Sequence, residues 1–505
     1  MRITVERKYL KLPVNPSASL KMLSFIKDEK SVYDAELPLD NLCPTSFAFL
    51  DLSRFLGEEL TLQVEPDMPV NALWVDDIDL EEKEYRPFIH FATRVGWIND
   101  PNGLVKRDGI YHMFYQHNPG CINWGTMHWG HATSTDLYSW THQPIALFPD
   151  ELGAMYSGSA ITDEAGVSGL GARPTLLYYT AAAGSASAMS RGKKFTQCIA
   201  YSEDMLHFKK YEGNPIIQNI RGANRDPKVV YAPELSKYVM VLYIDGHDFS
   251  FFVSDDLINW SHFQDFSMKI DRECPDFIPF EHDGERLWAF VAASDYYVIG
   301  RLDEEGFHPI SEEKRLSFGA PYAAQTFSGT DEITRIYWLR ISSPSAIVSQ
   351  QMSLPLSVEL CKDADGYYLK QKPVEAVDQR RGDPILPTDG VYPLRRAAYD
   401  LEIRYSHTRG GKIILTLFGN KLFIDMNKNE LACKGVCAPI PTESEGTIRA
   451  IVDRNSIECF IDGGRTLLAS AFICDYNLPY LTVKAEQGAS TPAITLREYT
   501  EGGCK

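Results

Sequence analysis

The chain has 505 residues, too many for one ordinary hydrophobic core, so two or three domains are expected. A hydrophobic share of 44% excludes a disordered chain. Fifty basic against 68 acidic side chains give a formal charge of -18, which repels nucleic-acid phosphates and anionic lipid and is compatible with a neutral ligand such as a sugar.

The first residues, MRITVERKYLKLPV, carry positive charge but no long apolar run and no small-residue cleavage site. No stretch approaches the roughly 20 apolar residues of a membrane helix. The ten cysteines form no dense framework, and Cys433 and Cys437 lack the spacing and histidine partners of a zinc motif. A cytoplasmic location with reduced thiols is expected, with no membrane or nucleic-acid partner.

Residues 1–85 read as a small β-rich accessory module, in which TSFAFLDLSRFLGEELTLQVEP gives a strand, a turn at Gly57 and a second strand. The six acidic residues between Asp76 and Glu84 read as an exposed connector. The module could narrow a cleft, pack on its neighbour, or mediate a homo-oligomer contact. Residues 86–347 are dense in short apolar-aromatic strands, YHMFYQ, LLYYTA, YVMVLYI, LWAFVAAS and RIYWLRI, separated by Gly, Asp, Asn and Pro.

Within this region HATSTDLYSW, IAYSEDMLHF and FFVSDDLINW form a degenerate repeat, aligning Ser134, Ser202 and Ser254, and Asp136, Asp204 and Asp256. Serine and aspartate at such places bond turn backbone, and the closing aromatic packs back on its strand. Steps of about 50 to 70 residues suit four-stranded units, hence a β-propeller with room for about five blades. Residues 348–505 carry further alternating strands and read as a C-terminal β-sandwich, so the fold class is all-β.

Three segments could carry chemistry. In WINDPNG, Pro101 biases Asp100 away from helical dihedrals, and Asn102-Gly103 reads as a turn before the next strand. A carboxylate held so stiffly could act as a nucleophile. In NRDPK, Asp226 could accept bonds from sugar hydroxyls, while Arg225 could pair with it or reach a hydroxyl. In RECPDF, burial and neighbouring carboxylates would raise the pKa of Glu273 and keep it an acid, an effect Arg272 would oppose from the same cavity. Singly, each segment reads more readily as structure: a turn aspartate, a salt bridge beside a turn, a glutamate at a strand start. Together they fall in different blades, whose leading strands line one axial end. There one acid could attack, one protonate and one hold hydroxyls.

WINDPNG, RDPKV and ECPDF resemble the three acidic signatures of glycoside hydrolase family 32, the invertases, inulinases and levanases. YQHNP, NWG, HWGHATSTDLYSW, YSGSA and YAAQTF extend the likeness over about 90–345, and VDRNSIECFIDGG is similar to that family's C-terminal sandwich. The resemblance implies a five-bladed catalytic propeller followed by a sandwich, and hydrolysis with retained anomeric configuration. It places the nucleophile on Asp100, the transition-state stabiliser on Asp226 and the acid/base on Glu273. It puts fructosyl-binding residues at Asn99, Gln116, Trp124 and Arg225, with Ser159 in a segment lining the same pocket. Trp124 could instead be core packing.

The implied activity is release of terminal β-D-fructofuranosyl units from sucrose or fructo-oligosaccharides, without metal or organic cofactor. A cytoplasmic enzyme would meet short imported sugars rather than polymers. The alternatives are a fructosyltransferase, an endo-acting fructanase, or a non-catalytic carbohydrate-binding protein on the same fold. His117, His128 and His131 suggest no metal site, since the last two fall on opposite faces of one strand. Three departures from the family pattern bear on the subsites beyond the first sugar: SFGAPYAAQTF lacks an acid, AAAGSASAMSRGKKFTQ is long and rich in small residues, and TRIYWLRI ends its strand differently.

Overall fold

The structure, a computed structural model, describes residues 1–78, 85–183, 189–345, 347–395, 398–500 and 502–503. From residue 79 onward the expected acidic connector lies outside the described residues, as do positions 184–188 of the small-residue loop. No helix among the described residues is long and apolar enough to cross a membrane.

Five sheets form the propeller. Blade I holds Gly96–Arg107, Ile110–Asn118, His128–Ser134 and Thr141–Leu147, and blade II runs from Ala154–Thr162 through Thr175–Ala182 and Thr196–Ser202 to Lys209–Lys210. Blade III runs from Arg225–Ala232 to Ser261–Ser267, and blade IV from Asp276–His282 to Gly306–Pro309. Blade V comprises Pro321–Thr326, Thr334–Leu339, Leu356–Asp363 and Gly366–Pro373. The innermost strands touch in order around the ring, and the last touches the first. Val348–Ser349 then pairs in parallel with Gly96–Trp97 and closes the ring.

Burial on both faces explains the sequence of these strands. Thr175–Ala182, TLLYYTAA, is buried at every position, because each blade covers its neighbours. Glu59–Glu65 of the N-terminal module, ELTLQVE, alternates exposed and buried, since one face meets water. The repeated turns are alike in three blades. Ser134, Ser202 and Ser254 each accept backbone N–H bonds from two and three residues ahead, and Asp136, Asp204 and Asp256 do the same. Leu137, Met205 and Leu257 then take left-handed backbone, at φ 65°, 62° and 66°.

The sandwich packs a seven-stranded sheet on a six-stranded one around Leu401, Leu415, Ile424, Ile448 and Ile457. One apolar cluster runs from Phe91, Ile98 and Tyr337 of the propeller into Ile451, Phe460 and Leu467 of the sandwich. The division expected at residue 347 falls inside the propeller, because the two outer strands of blade V come after it. We place the division after Pro373. Within the N-terminal module, two sheets enclose Leu12, Phe25, Tyr33 and Leu50.

Candidate active site

Asp100 lies in the innermost strand of blade I. Register breaks between Ile98 and Pro101 and between Asn102 and Val105 re-aim that strand around it. Asn102 and Gly103, expected as a turn, are part of this distorted strand instead. Gly103 sits at φ 52°, and a side chain there would meet Phe114 at 2.9 Å and Trp129 at 3.0 Å. Asp226 lies at a similar break in the innermost strand of blade III, with φ 65°. Its N–H donates to Thr180 Oγ1 over 3.0 Å. Glu273 and Cys274 precede the innermost strand of blade IV and are both left-handed, at φ 49° and 43°. The Ala293 N–H, which donates to the Glu273 carbonyl over 3.1 Å, and the Cys274 N–H, which donates to Asp226 Oδ2 over 3.1 Å, hold that strained pair.

These three blades bring the carboxyls together. The Cys274 thiol lies 3.7 Å from Asp100 Oδ2 and 3.4 Å from Asp226 Oδ2. Arg225 links the other two acids: its Nε is 3.5 Å from Asp226 Oδ2, and its terminal nitrogen donates to Glu273 Oε2. The same guanidinium stacks over Tyr243 at 4.6 Å. Behind the acids, Lys228 pairs with Asp276 at 2.8 Å, and Asp276 also accepts the Thr326 N–H, so blades III, IV and V are tied together.

Electrostatics follow from this crowding. Burial, then Asp100 and Glu273, push Asp226 up to about 7 against the pull of Arg225. Burial raises Asp100, while hydrogen bonds from Ser157 and Asn99 oppose the rise. The Cys274 thiol is raised by burial and by the three carboxylates. Burial alone would lower Arg225, but Asp226 and Glu273 hold it above its ordinary value.

The expected binding residues divide. Asn99 is buried beside Asp100, and its Oδ1 accepts the Trp97 indole N–H over 2.8 Å. Trp124 is 47% exposed and edges onto Tyr156 at 5.9 Å, which meets Phe195 at 5.5 Å, making an aromatic wall. A second aromatic row joins Trp97, Trp338 and Tyr322. Gln116 is buried, with its amide donating to the Met155 carbonyl over 2.7 Å, so it braces blade II. Ser159 bonds the backbone of blade III. Its hydroxyl donates to the Pro227 carbonyl over 2.8 Å and accepts the Val229 N–H over 3.0 Å, stitching blade II to blade III. Ser157 holds Asp100 instead, donating to Oδ2 over 2.6 Å. The reading of the sequence missed Ser157, Cys274 and Tyr322, whose hydroxyl donates to Glu273 Oε1. Only the YAAQTF segment hinted at Tyr322.

The three histidines have protein partners: His117 with the Trp97 carbonyl, His128 with Tyr33 and the Thr126 carbonyl, and His131 with His112. Burial holds His117 down to about 4 and His128 to about 3.

Residues 90–373 match the glycosyl hydrolases family 32 N-terminal domain. A levanase of Bacillus subtilis is 29% identical over 483 residues, covering 82% of this chain and 70% of the levanase. An extracellular exo-inulinase of Aspergillus niger is 33% identical over 276 residues, covering 49% of each chain. The crystal structure of an exo-inulinase from Aspergillus awamori aligns with a TM-score of 0.73 at 23% identity, over 84% of this chain and 100% of that one, a likeness of fold. The cytoplasmic location expected from the first residues is corrected here, because relatives matching this region include enzymes named as extracellular. With it goes the expected preference for short imported sugars over polymers.

Proposed function

Since the chain belongs to glycosyl hydrolases family 32 and is a glycoside hydrolase, we propose that it releases terminal β-D-fructofuranosyl units from sucrose and fructans with retention of configuration. In this reading a carboxylate oxygen of Asp100 attacks the anomeric C2. The bond from C2 to the leaving oxygen breaks, and Glu273 gives that oxygen its proton. Water then attacks C2 of the fructosyl-enzyme, Glu273 takes a proton from it, and Asp100 leaves. Asp226 and Arg225 receive ring hydroxyls, and Asp226 favours the oxocarbenium-like state.

The observation that carries the reading is the meeting of three acids from three blades around one thiol and one guanidinium. Arg225 and the Tyr322 hydroxyl hold the Glu273 carboxyl beside the other two acids, where it can serve as the proton donor. Ser157 and Asn99 orient Asp100 for attack. The aromatic rows through Trp124 and Trp338 suit the apolar faces of sugar rings.

The test is product analysis on sucrose, inulin and levan, with the first-formed anomer followed by NMR. Free β-fructofuranose as the sole early fructosyl product, with glucose released from sucrose and the fructan chains shortened one unit at a time, supports the reading. Oligomeric products would assign endo-cleavage or transfer, and no turnover on any of the three would refute it. Asp100→Asn and Glu273→Gln are each expected to lower kcat by about 100-fold or more with the fold intact.

A further inference from the structure

The N-terminal module sits on the rim that carries Trp124. Strands alternate in direction within a blade, so the start of the innermost strand shares a face with the turn between the second and third strands. Asp100 and Ser157 stand near the start of their inner strands. The turns following Asn118 in blade I and Ala182 in blade II therefore rise on the face of the site.

A single strand of the module, Lys30–Leu37, reaches both turns. The Glu36 N–H donates to Thr126 Oγ1 over 3.0 Å, and the Tyr33 hydroxyl lies 3.0 Å from His128 Nε2. On blade II, the Met189 N–H donates to Asp34 Oδ2 over 2.9 Å. Leu37 closes over Gly120 so tightly that a Cβ there would meet its Cδ2 at 2.0 Å. Tyr33 and His128 are fully buried, so the bond between them is shielded from solvent and fixes the register of the seam. Trp124 stands two residues before Thr126 on the blade I turn, and Phe195 closes the blade II turn. In the wall Trp124–Tyr156–Phe195, the two outer rings thus come from the turns that the strand holds, and Tyr156 between them comes from the innermost strand of blade II.

We propose that this strand is a splint for the aromatic wall, making Thr126 and Tyr33 positioning residues for substrate binding. The inference rests on the reading of Trp124 as a substrate contact. A splint of this kind acts on ground-state binding, so its loss raises KM and spares kcat.

The experiment measures KM and kcat on sucrose and inulin for Thr126→Val, Thr126→Ser and Tyr33→Phe, with thermal melts to establish folding. Thr126→Val removes the acceptor and is expected to raise KM about fivefold with kcat within about twofold. Thr126→Ser keeps the acceptor and restores KM. Tyr33→Phe tests the seam from the module's side if Thr126→Val does not fold. In a Trp124→Ala background, which itself raises KM, the Thr126→Val effect disappears, because both act through one ring. A merely structural role lowers the melting temperature and leaves KM of the folded variants at the wild-type value, which would overturn the proposal. So would an undiminished KM rise in the Trp124→Ala background. Failure of the underlying reading shows differently: Trp124→Ala itself leaves KM unchanged, and the splint falls with it.

Discussion

The hydroxyl of Tyr322 donates to Oε1 of Glu273, while Arg225 occupies Oε2, so both oxygens of one carboxyl are held from the two blades that flank its own. Blade V thereby orients a glutamate whose own backbone is strained. Tyr322→Phe removes one hydrogen bond to the Glu273 carboxyl and is expected to lower kcat/KM by about 10- to 100-fold with an unchanged melting temperature. Wild-type kinetics in the folded variant would remove Tyr322 from the site.

Ser157 and Ser159 make opposite predictions. Ser157→Ala strips a hydrogen bond from Asp100 and is expected to cut kcat about tenfold or more. Ser159→Ala leaves the buried Val229 N–H without its acceptor, costing about 1–3 kcal/mol of stability while kcat is retained. Denaturant melts alongside steady-state kinetics separate the two, and a reversed pattern would restore the original assignment of Ser159.

Asp226 is raised in the folded state, to about 7 from 3.8, chiefly by burial. The folded protein therefore keeps a proton that the unfolded chain releases as pH rises from about 4 to 7. Stability falls through that window and stays lower above it. Asp226→Asn lacks the penalty. Its melting temperature should exceed that of the wild type at pH 8 and draw level near pH 4, while activity is lost. An equal difference at both pH values would contradict the linkage.

Where the propeller meets the sandwich, His90 is fully buried between Asp453, at 2.8 Å, and Glu458, at 2.6 Å. Burial would lower it, but Glu458 and Asp453 raise it to about 9. A histidine raised in this way stabilises fully below about 6.5, and the contribution fades as pH rises through 9. His90→Gln should cost about 3 kcal/mol at pH 6 in urea melts and distinctly less at pH 10. A constant cost at both pH values would mean that the imidazole is not the charged member.

Much of this was legible in the sequence because its signals are local. Asp-Pro at 100 and 226, and Glu273 before Cys-Pro, mark the irregular starts of innermost strands, and the Ser-Asp turns mark the blades. Ser157 was not legible: a register shift between Tyr156 and Gly158 decides which serine faces Asp100, and a bulge leaves no compositional trace. Tyr322 contacts Glu273 only through the packing of blade V on blade IV. The outer strands of blade V read as sandwich strands because alternation does not say which sheet a strand will join.

The parallel pairing of Val348–Ser349 on Gly96–Trp97 has a consequence for biosynthesis. The strand bearing Asp100 emerges early from the ribosome, yet its edge is completed only by residues made some 250 positions later. A nascent or truncated polypeptide ending before that point carries Asp100, Asp226 and Glu273 but lacks the pairing that closes the ring around them.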